Sequence, residues 1–206
     1  MNSILFSATL SLCVEKENNM SHVLVVGGTG MLKDVSLYFS SHGMRVSVIA
    51  RDQSKFEDLI LAKENSGFIN PIRVDYTDYG QLKQKLQNAI NIYGPIETAV
   101  CWIHSSAPEA LYIIAETLNE TNTHVKYFHI LGSSYADPSI VNEDFEQMLH
   151  RLKNISYKKI ILGFIIEDDH SRWLTDTEIG NGVIDAIKKD ENLFIVGKLE
   201  PWEMRP

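Results

Sequence analysis

Apolar and polar positions along this chain fall into blocks of two kinds. Some are short unbroken apolar runs; others carry an apolar residue every three to four positions. The clearest block spans 22–52. Val23, Leu24, Val25 and Val26 form an unbroken run, as in a strand buried on both faces. Gly27-Gly28-Thr29-Gly30 follows. Met31, Leu32, Val35, Tyr38 and Phe39 then recur at helical spacing, and Gly43 stands where that helix should stop. A second apolar run, 46–50, ends in Arg51. Strand, glycine turn, helix and strand within about 30 residues is the order and length of a dinucleotide-binding βαβ unit.

The same reading carries through the chain. Residues 54–63, with Phe56, Leu59, Ile60 and Leu61, predict a helix; 67–71 predict a turn and 71–75 a third strand. Leu82, Leu86, Ala89, Ile90 and Tyr93 make a helical stripe closed by Gly94-Pro95. A buried-type strand is expected over 98–104, a helix over 109–118, and a strand over 125–131 leading into Gly132-Ser133-Ser134. A helix over 144–152 precedes one continuous apolar strand, 159–166, that runs through Gly163. Thr175 and Glu178 form a capping box opening a helix that reaches Ile187. Residues 193–196 are a last strand before a polar tail. Strands alternating with helices predict an α/β protein with a Rossmann-like, doubly wound parallel sheet of about seven strands, helices on both faces and right-handed crossovers.

The glycine turn has a chemical reading. A pyrophosphate needs backbone N–H donors that can approach it closely, and glycine removes the side chain in the way. The helix N-terminus adds unpaired N–H groups and the positive end of a dipole. Gly27 and Gly30 fit these roles. The third glycine of the fingerprint would fall at Lys33, which implies a wider helix–strand approach there or an ammonium reaching toward phosphate. The strand end then bears on the choice of cofactor. NAD sites place an acidic residue there for the ribose 2′-hydroxyl, whereas NADP sites supply a nearby Arg. Ala50-Arg51 therefore points to NADP, with Arg51 on the 2′-phosphate and Ser54 and Lys55 assisting. Asp52 keeps NAD as the alternative.

Composition changes this picture little. The 206 residues are 44% hydrophobic, enough for one sizeable core. A net charge of −8 and a pI near 5.3 argue against sequence-independent nucleic-acid binding. Two cysteines make no disulfide framework, so a reducing, cytoplasmic setting is expected. Residues 1–19 differ from the rest: an apolar run, 4–14, is too short to span a bilayer and is followed by a polar stretch. We expect 1–19 to be a poorly ordered extension, with Met20 the natural start, and 20–206 to be a single NAD(P)-binding domain. A membrane-associating or export segment is the alternative for 1–19.

These landmarks, taken in order, resemble the short-chain dehydrogenase/reductase family over nearly all of 20–206. Gly27-Gly28-Thr29-Gly30, with Met31 after it, is similar to that family's cofactor loop. Asp75, in Val-Asp-Tyr-Thr-Asp, resembles the Asp that holds the adenine ring. Ser133-Ser134 falls where the family carries its catalytic Ser. Leu162-Gly163-Phe164 resembles the turn that meets the nicotinamide, and Ile103 stands in the segment after the fourth strand. The resemblance implies NAD(P) binding on Gly27, Gly28, Thr29, Gly30, Met31, Arg51, Ser54, Asp75, Ile103 and Gly163. It also implies a homodimer or homotetramer built through the helices after strands four and five.

One departure bears on function. The family's Tyr-x-x-x-Lys belongs on the helix after the Ser, where Tyr donates a proton and Lys tunes its pKa. Here that helix reads Glu-Asp-Phe-Glu-Gln-Met-Leu-His-Arg-Leu over 143–152 and has no Tyr. Tyr79 and Lys83 match the spacing but lie at the adenine end. Ser134, Tyr135 and His104 are the candidate catalytic residues, with Ser134 polarising a carbonyl and Tyr135 or His104 donating the proton. The expected activity is NADP-dependent oxidoreduction of a small carbonyl or alcohol. The alternative is a catalytically degenerate NADP-binding sensor or scaffold. No metal, membrane or nucleic-acid partner is expected.

Overall fold

The computed structural model describes residues 20–63, 67–136, 143–168 and 170–206. The extension expected over 1–19 lies outside the described residues. Six parallel pairings join seven strands into one sheet of order β3-β2-β1-β4-β5-β6-β9. These strands are β1 (His22–Val26), β2 (Arg45–Ala50), β3 (Phe68–Arg73), β4 (Thr98–Cys101), β5 (Val125–Gly132), β6 (Ile155–Leu162) and β9 (Leu193–Val196). The order reverses between β1 and β4, which opens a crevice at the carboxyl edge of the sheet.

Alternation along each strand sets the two faces. Leu24 and Val26 of β1 pack with Leu82 and Leu86 of α3 (Tyr79–Tyr93), Leu111 and Ile114 of α4 (Pro108–Asn119) and Leu149 of α5 (Glu143–His150). Val23 and Val25 point the other way. They pack with Val35 and Phe39 of α1 (Lys33–Ser41), Phe56 and Leu59 of α2 (Gln53–Ala62) and Val183 of α6 (Asp176–Lys189). Each helix buries its apolar stripe, and a strand covered on both faces must be apolar throughout, which is why the sequence runs are unbroken.

Three boundaries differ from expectation. Residues 67–71 are no turn: β3 begins at Phe68 and holds Pro71 opposite Val48. β3 is an edge strand, where a residue without an N–H costs no ladder bond on its open side. β4 ends at Cys101, because Trp102 N–H makes a last bond to Val26 O and the chain then leaves the sheet before His104.

The third difference is the apolar stretch 159–166, which is two strands. β6 stops at Leu162, and β7 (Phe164–Glu167) turns away to pair antiparallel with β8 (His170–Trp173). The cause is a backbone crossing. Phe164 N–H donates to Lys198 O (2.9 Å) and Lys198 N–H to Phe164 O (2.8 Å). A side chain at Gly163 would collide with the Lys198 backbone, and one at Gly197 would meet Phe164 O at 2.7 Å. This crossing carries the C-terminal segment over the carboxyl edge of the sheet.

Candidate functional site

The glycine turn joins β1 to α1. Gly27 has φ +82°, and its N–H donates to Ile49 O at 3.0 Å, which pins the turn to β2. Gly28 lets α1 approach the sheet closely. A Cβ there would overlap Ser36 Oγ and lie 2.9 Å from Val25 Cγ1. Ser36 Oγ donates to Gly28 O at 3.0 Å. The close approach that the fingerprint assigns to its third glycine is therefore made by Gly28 and Ser36. Lys33, the first residue of α1, is clear of it and bonds through its N–H to Gly30 O (2.8 Å). Gly30 faces open space.

Beside this turn lies a groove of about 470 Å³. Gly27, Thr29, Gly30 and Met31 form one wall; Ala50, Arg51, Asp52 and Lys55 form another; Tyr76, Trp102 and His104 close it. Arg51 Nη1 lies 3.3 Å from Asp75 Oδ2. The Asp75 carboxyl is held below the usual carboxylate range, chiefly by the N–H and hydroxyl of Thr77 and less by Arg51. Asp52 is the N-cap of α2: its Oδ1 accepts from Ser54 N–H (2.9 Å), Ser54 Oγ (2.9 Å) and Lys55 N–H (3.4 Å). These donors hold the Asp52 carboxyl below its ordinary value. The cap engages both Asp52 and Ser54, and the Ser54 hydroxyl is spent on Asp52. Gly28, Ser54 and Asp75 are not wall residues of the groove, whereas Arg51 and Lys55 are.

Two further cavities adjoin the groove. One, of about 290 Å³, shares Met31 and Trp102 with it and continues over Ser133, Ser134, Gly163, Trp173 and Arg205. The other, of about 200 Å³, shares His104 with the groove. It lies between β4, β5 and β6 and the helices α4 and α5, lined by Ile103, Leu131, His129, Tyr135, Tyr157 and Glu146 among others. The three candidate catalytic residues are thus divided. Tyr135 and His104 share the smaller cavity; Ser134 lines its neighbour. Successive residues of the short 3₁₀ turn Ser133–Ala136 project in different directions, which separates Ser134 from Tyr135. Ile103 lines the smaller cavity rather than the groove.

Sequence reasoning missed Tyr157 and Glu146. His129 Nδ1 and Tyr157 Oη are 2.9 Å apart. Burial and the nearby Lys159 ammonium depress His129 to about 3, so its ring is neutral. Burial first, then the Glu146 charge, pushes the Tyr157 phenol well above its ordinary value. Lys159 Nζ bonds Glu146 Oε1 at 2.9 Å. These residues meet because the β5–β6 register sets Tyr127 opposite Tyr157 and His129 opposite Lys159. No spacing along the chain encodes that register. Cys101 is buried, and burial pushes its thiol up to about 12. Among the described residues no group of His, Cys, Asp and Glu side chains could hold a metal, and no helix is long and apolar enough to cross a membrane.

No protein-family model matches this sequence, and no curated protein matches it. Solved structures do match its fold. A short-chain dehydrogenase/reductase from Serratia marcescens superposes with a TM-score of 0.68 at 12% identity, over 86% of this chain and 96% of that one. A single-substitution variant of actinorhodin polyketide ketoreductase with NADPH gives 0.65 at 11% identity, over 87% and 97%. A short-chain type dehydrogenase/reductase from Mycobacterium ulcerans gives 0.61 at 13% identity, over 85% and 87%. The chain has the Rossmann-like fold of short-chain dehydrogenase/reductase structures.

Proposed function

We propose that this protein binds NADP(H) along the carboxyl edge of its sheet and acts as an oxidoreductase on a small carbonyl or alcohol substrate. The observation that carries the reading is continuity. The groove with the glycine turn and Arg51 runs, through Met31 and Trp102, into the pocket with Ser133, Ser134 and Gly163. The residues fit the cofactor: Gly27 to Met31 and the first turn of α1 take the diphosphate, and Arg51 and Lys55 take the 2′-phosphate. NADP is preferred to NAD because Asp52, the acidic residue nearest the end of β2, already caps α2. The bound cofactor supplies a hydride. The chain's part is to orient the substrate oxygen on Ser134 and to deliver a proton from His104, which lines both groove and cavity, or from Tyr135.

A second reading, an NADP-binding sensor or scaffold without turnover, is favoured by one observation. Helix α5 follows β5, where the resemblance leads one to expect Tyr-x-x-x-Lys, and its sequence, Glu-Asp-Phe-Glu-Gln-Met-Leu-His, has no tyrosine. In either case a cytoplasmic homodimer or homotetramer is proposed, formed through α4 and α5. Steady-state reduction of a panel of small carbonyl compounds with NADPH tests the first reading. Ser134→Ala and Tyr135→Phe should each lower turnover at least about tenfold while leaving NADPH affinity within about twofold. Native protein that binds NADPH and turns over no member of the panel supports the sensor instead.

A further inference from the structure

We propose that Arg205 is the recognition residue of the pocket beside Ser134, and that this pocket takes a small organic carboxylate with an apolar body. The proposal rests on the preceding reading only for the identity of the reaction carried out next to that carboxylate. Its own basis is the way the C-terminal segment is built.

The backbone crossing of Phe164 and Lys198 turns the chain after β9 back over the carboxyl edge, and a short 3₁₀ turn, Trp202–Met204, follows. Arg205 N–H bonds Trp202 O at 3.1 Å, which closes this turn. The Arg205 guanidinium carbon then sits 5.1 Å from the Trp202 ring centroid and 5.4 Å from that of Trp173 on β8. Two indoles thus flank the guanidinium. Among the described residues its N–H groups meet no carboxylate and no hydrogen-bond acceptor, although the chain carries 27 acidic residues and a net charge of −8. By contrast Arg172, one residue before Trp173, engages both Glu167 and Glu178. A planar fork of donors flanked by two indoles and not consumed by the protein suits bidentate capture of a carboxylate.

The rest of the pocket supplies the other half of the ligand. Met31, Trp102, Leu162, Trp173, Leu174 and Ile179 are apolar, and Ser133 and Ser134 line the pocket with them. Its volume is about 290 Å³, shared with the nicotinamide that the preceding reading sets against Gly163, so the room left suits a small ligand. The cofactor's own anions have other partners. The glycine turn and Arg51 line the neighbouring groove, whereas Arg205 lines this pocket and not the groove. The anion that Arg205 awaits therefore belongs to the second ligand.

The chain has three tryptophans, and all three are here: Trp102 and Trp173 line the pocket, and Trp202 stacks on Arg205. Intrinsic fluorescence thus reads the pocket directly. Benzoate and benzamide are titrated at matched ionic strength, against the native protein, Arg205→Gln and Arg205→Lys. Benzoate is expected to quench saturably and to bind at least about tenfold more tightly than benzamide. Arg205→Gln should erase that preference and Arg205→Lys should restore only part of it. NADPH affinity, measured by calorimetry, should stay within about twofold in both variants. Arg205 is exposed, and unchanged circular dichroism checks that the variants fold. Equal binding of benzoate and benzamide overturns the proposal, as does benzoate affinity unaltered in Arg205→Gln. Loss of NADPH affinity in Arg205→Gln comparable to the loss of benzoate affinity also overturns it, by assigning Arg205 to the cofactor. Native protein that does not bind NADPH defeats the preceding reading alone, because the benzoate comparison still decides the role of Arg205.

Discussion

Arg51 at the end of β2 reaches across to Asp75 beyond the end of β3, Nη1 to Oδ2 at 3.3 Å. The two strands are neighbours in the sheet, so the pair bridges their carboxyl ends beside the groove, of which Arg51 is a wall residue. A cofactor 2′-phosphate at Arg51 would share its guanidinium with that carboxylate. Both side chains are substantially exposed, so the competition is screened by salt and modest in size. Asp75→Asn should therefore raise the ratio of NADPH to NADH affinity a few-fold at low ionic strength. The gain should shrink toward nothing at high salt. Calorimetric titrations of both nucleotides at two salt concentrations check this.

Gly28 and Gly30 belong to one turn but do different work. Gly28→Ala places a methyl group against Ser36 and Val25, where neither can withdraw without moving α1 from the sheet. The expected loss is about 1–3 kcal/mol of stability. Gly30→Ala meets no atom and should change stability by no more than about 0.5 kcal/mol. Because Gly30 faces the groove, it should weaken NADPH binding instead. Urea denaturation of the two variants, paired with nucleotide titration, separates packing from binding.

His129 makes the fold acid-sensitive. Its folded-state value is about 3 against an ordinary 6.5, so folding favours the neutral ring. The stability it contributes is fully present above pH 6.5 and is lost as pH falls toward 3, reaching several kcal/mol by order of magnitude. His22, also depressed by burial and bonded to Gly94 O and Ser47 Oγ, adds in the same direction. Asp52, Asp75, Glu178 and Asp190 are held below their ordinary values and lose their contribution only at lower pH. Stability measured by urea between about pH 6.5 and 4.5 thus isolates the histidines. His129→Leu should flatten that slope, and an unchanged slope would remove His129 from the account.

The fold was legible because the sheet is covered on both faces. Burial on both sides makes 23–26, 46–50 and 125–131 apolar with little interruption, and the intervening helices show their stripes. What was not legible depends on register and on crossing chains. Nothing in the spacing of Phe164 and Lys198 announces that their backbones bond, so Gly163 reads as an interior strand residue when it is a break. His129 and Tyr157 are 28 positions apart and meet only because β5 and β6 pair in one register. Asp52 next to Arg51 is open to a ribose-binding reading until its bonds to Ser54 and Lys55 mark it as a helix cap. Ser134 and Tyr135, adjacent in sequence, line different cavities, a separation set by the 3₁₀ turn that holds them.

The glycine turn and Arg51 are proposed to form an NADP site. Calorimetric titration of the native protein with NADPH and, separately, with NADH tests it most directly, with Arg51→Ala as the matched variant. Micromolar NADPH binding is expected, with weaker NADH binding and a loss of at least about tenfold in NADPH affinity on Arg51→Ala with little change for NADH. NADH binding that equals or exceeds NADPH binding, or no binding of either nucleotide, would contradict it.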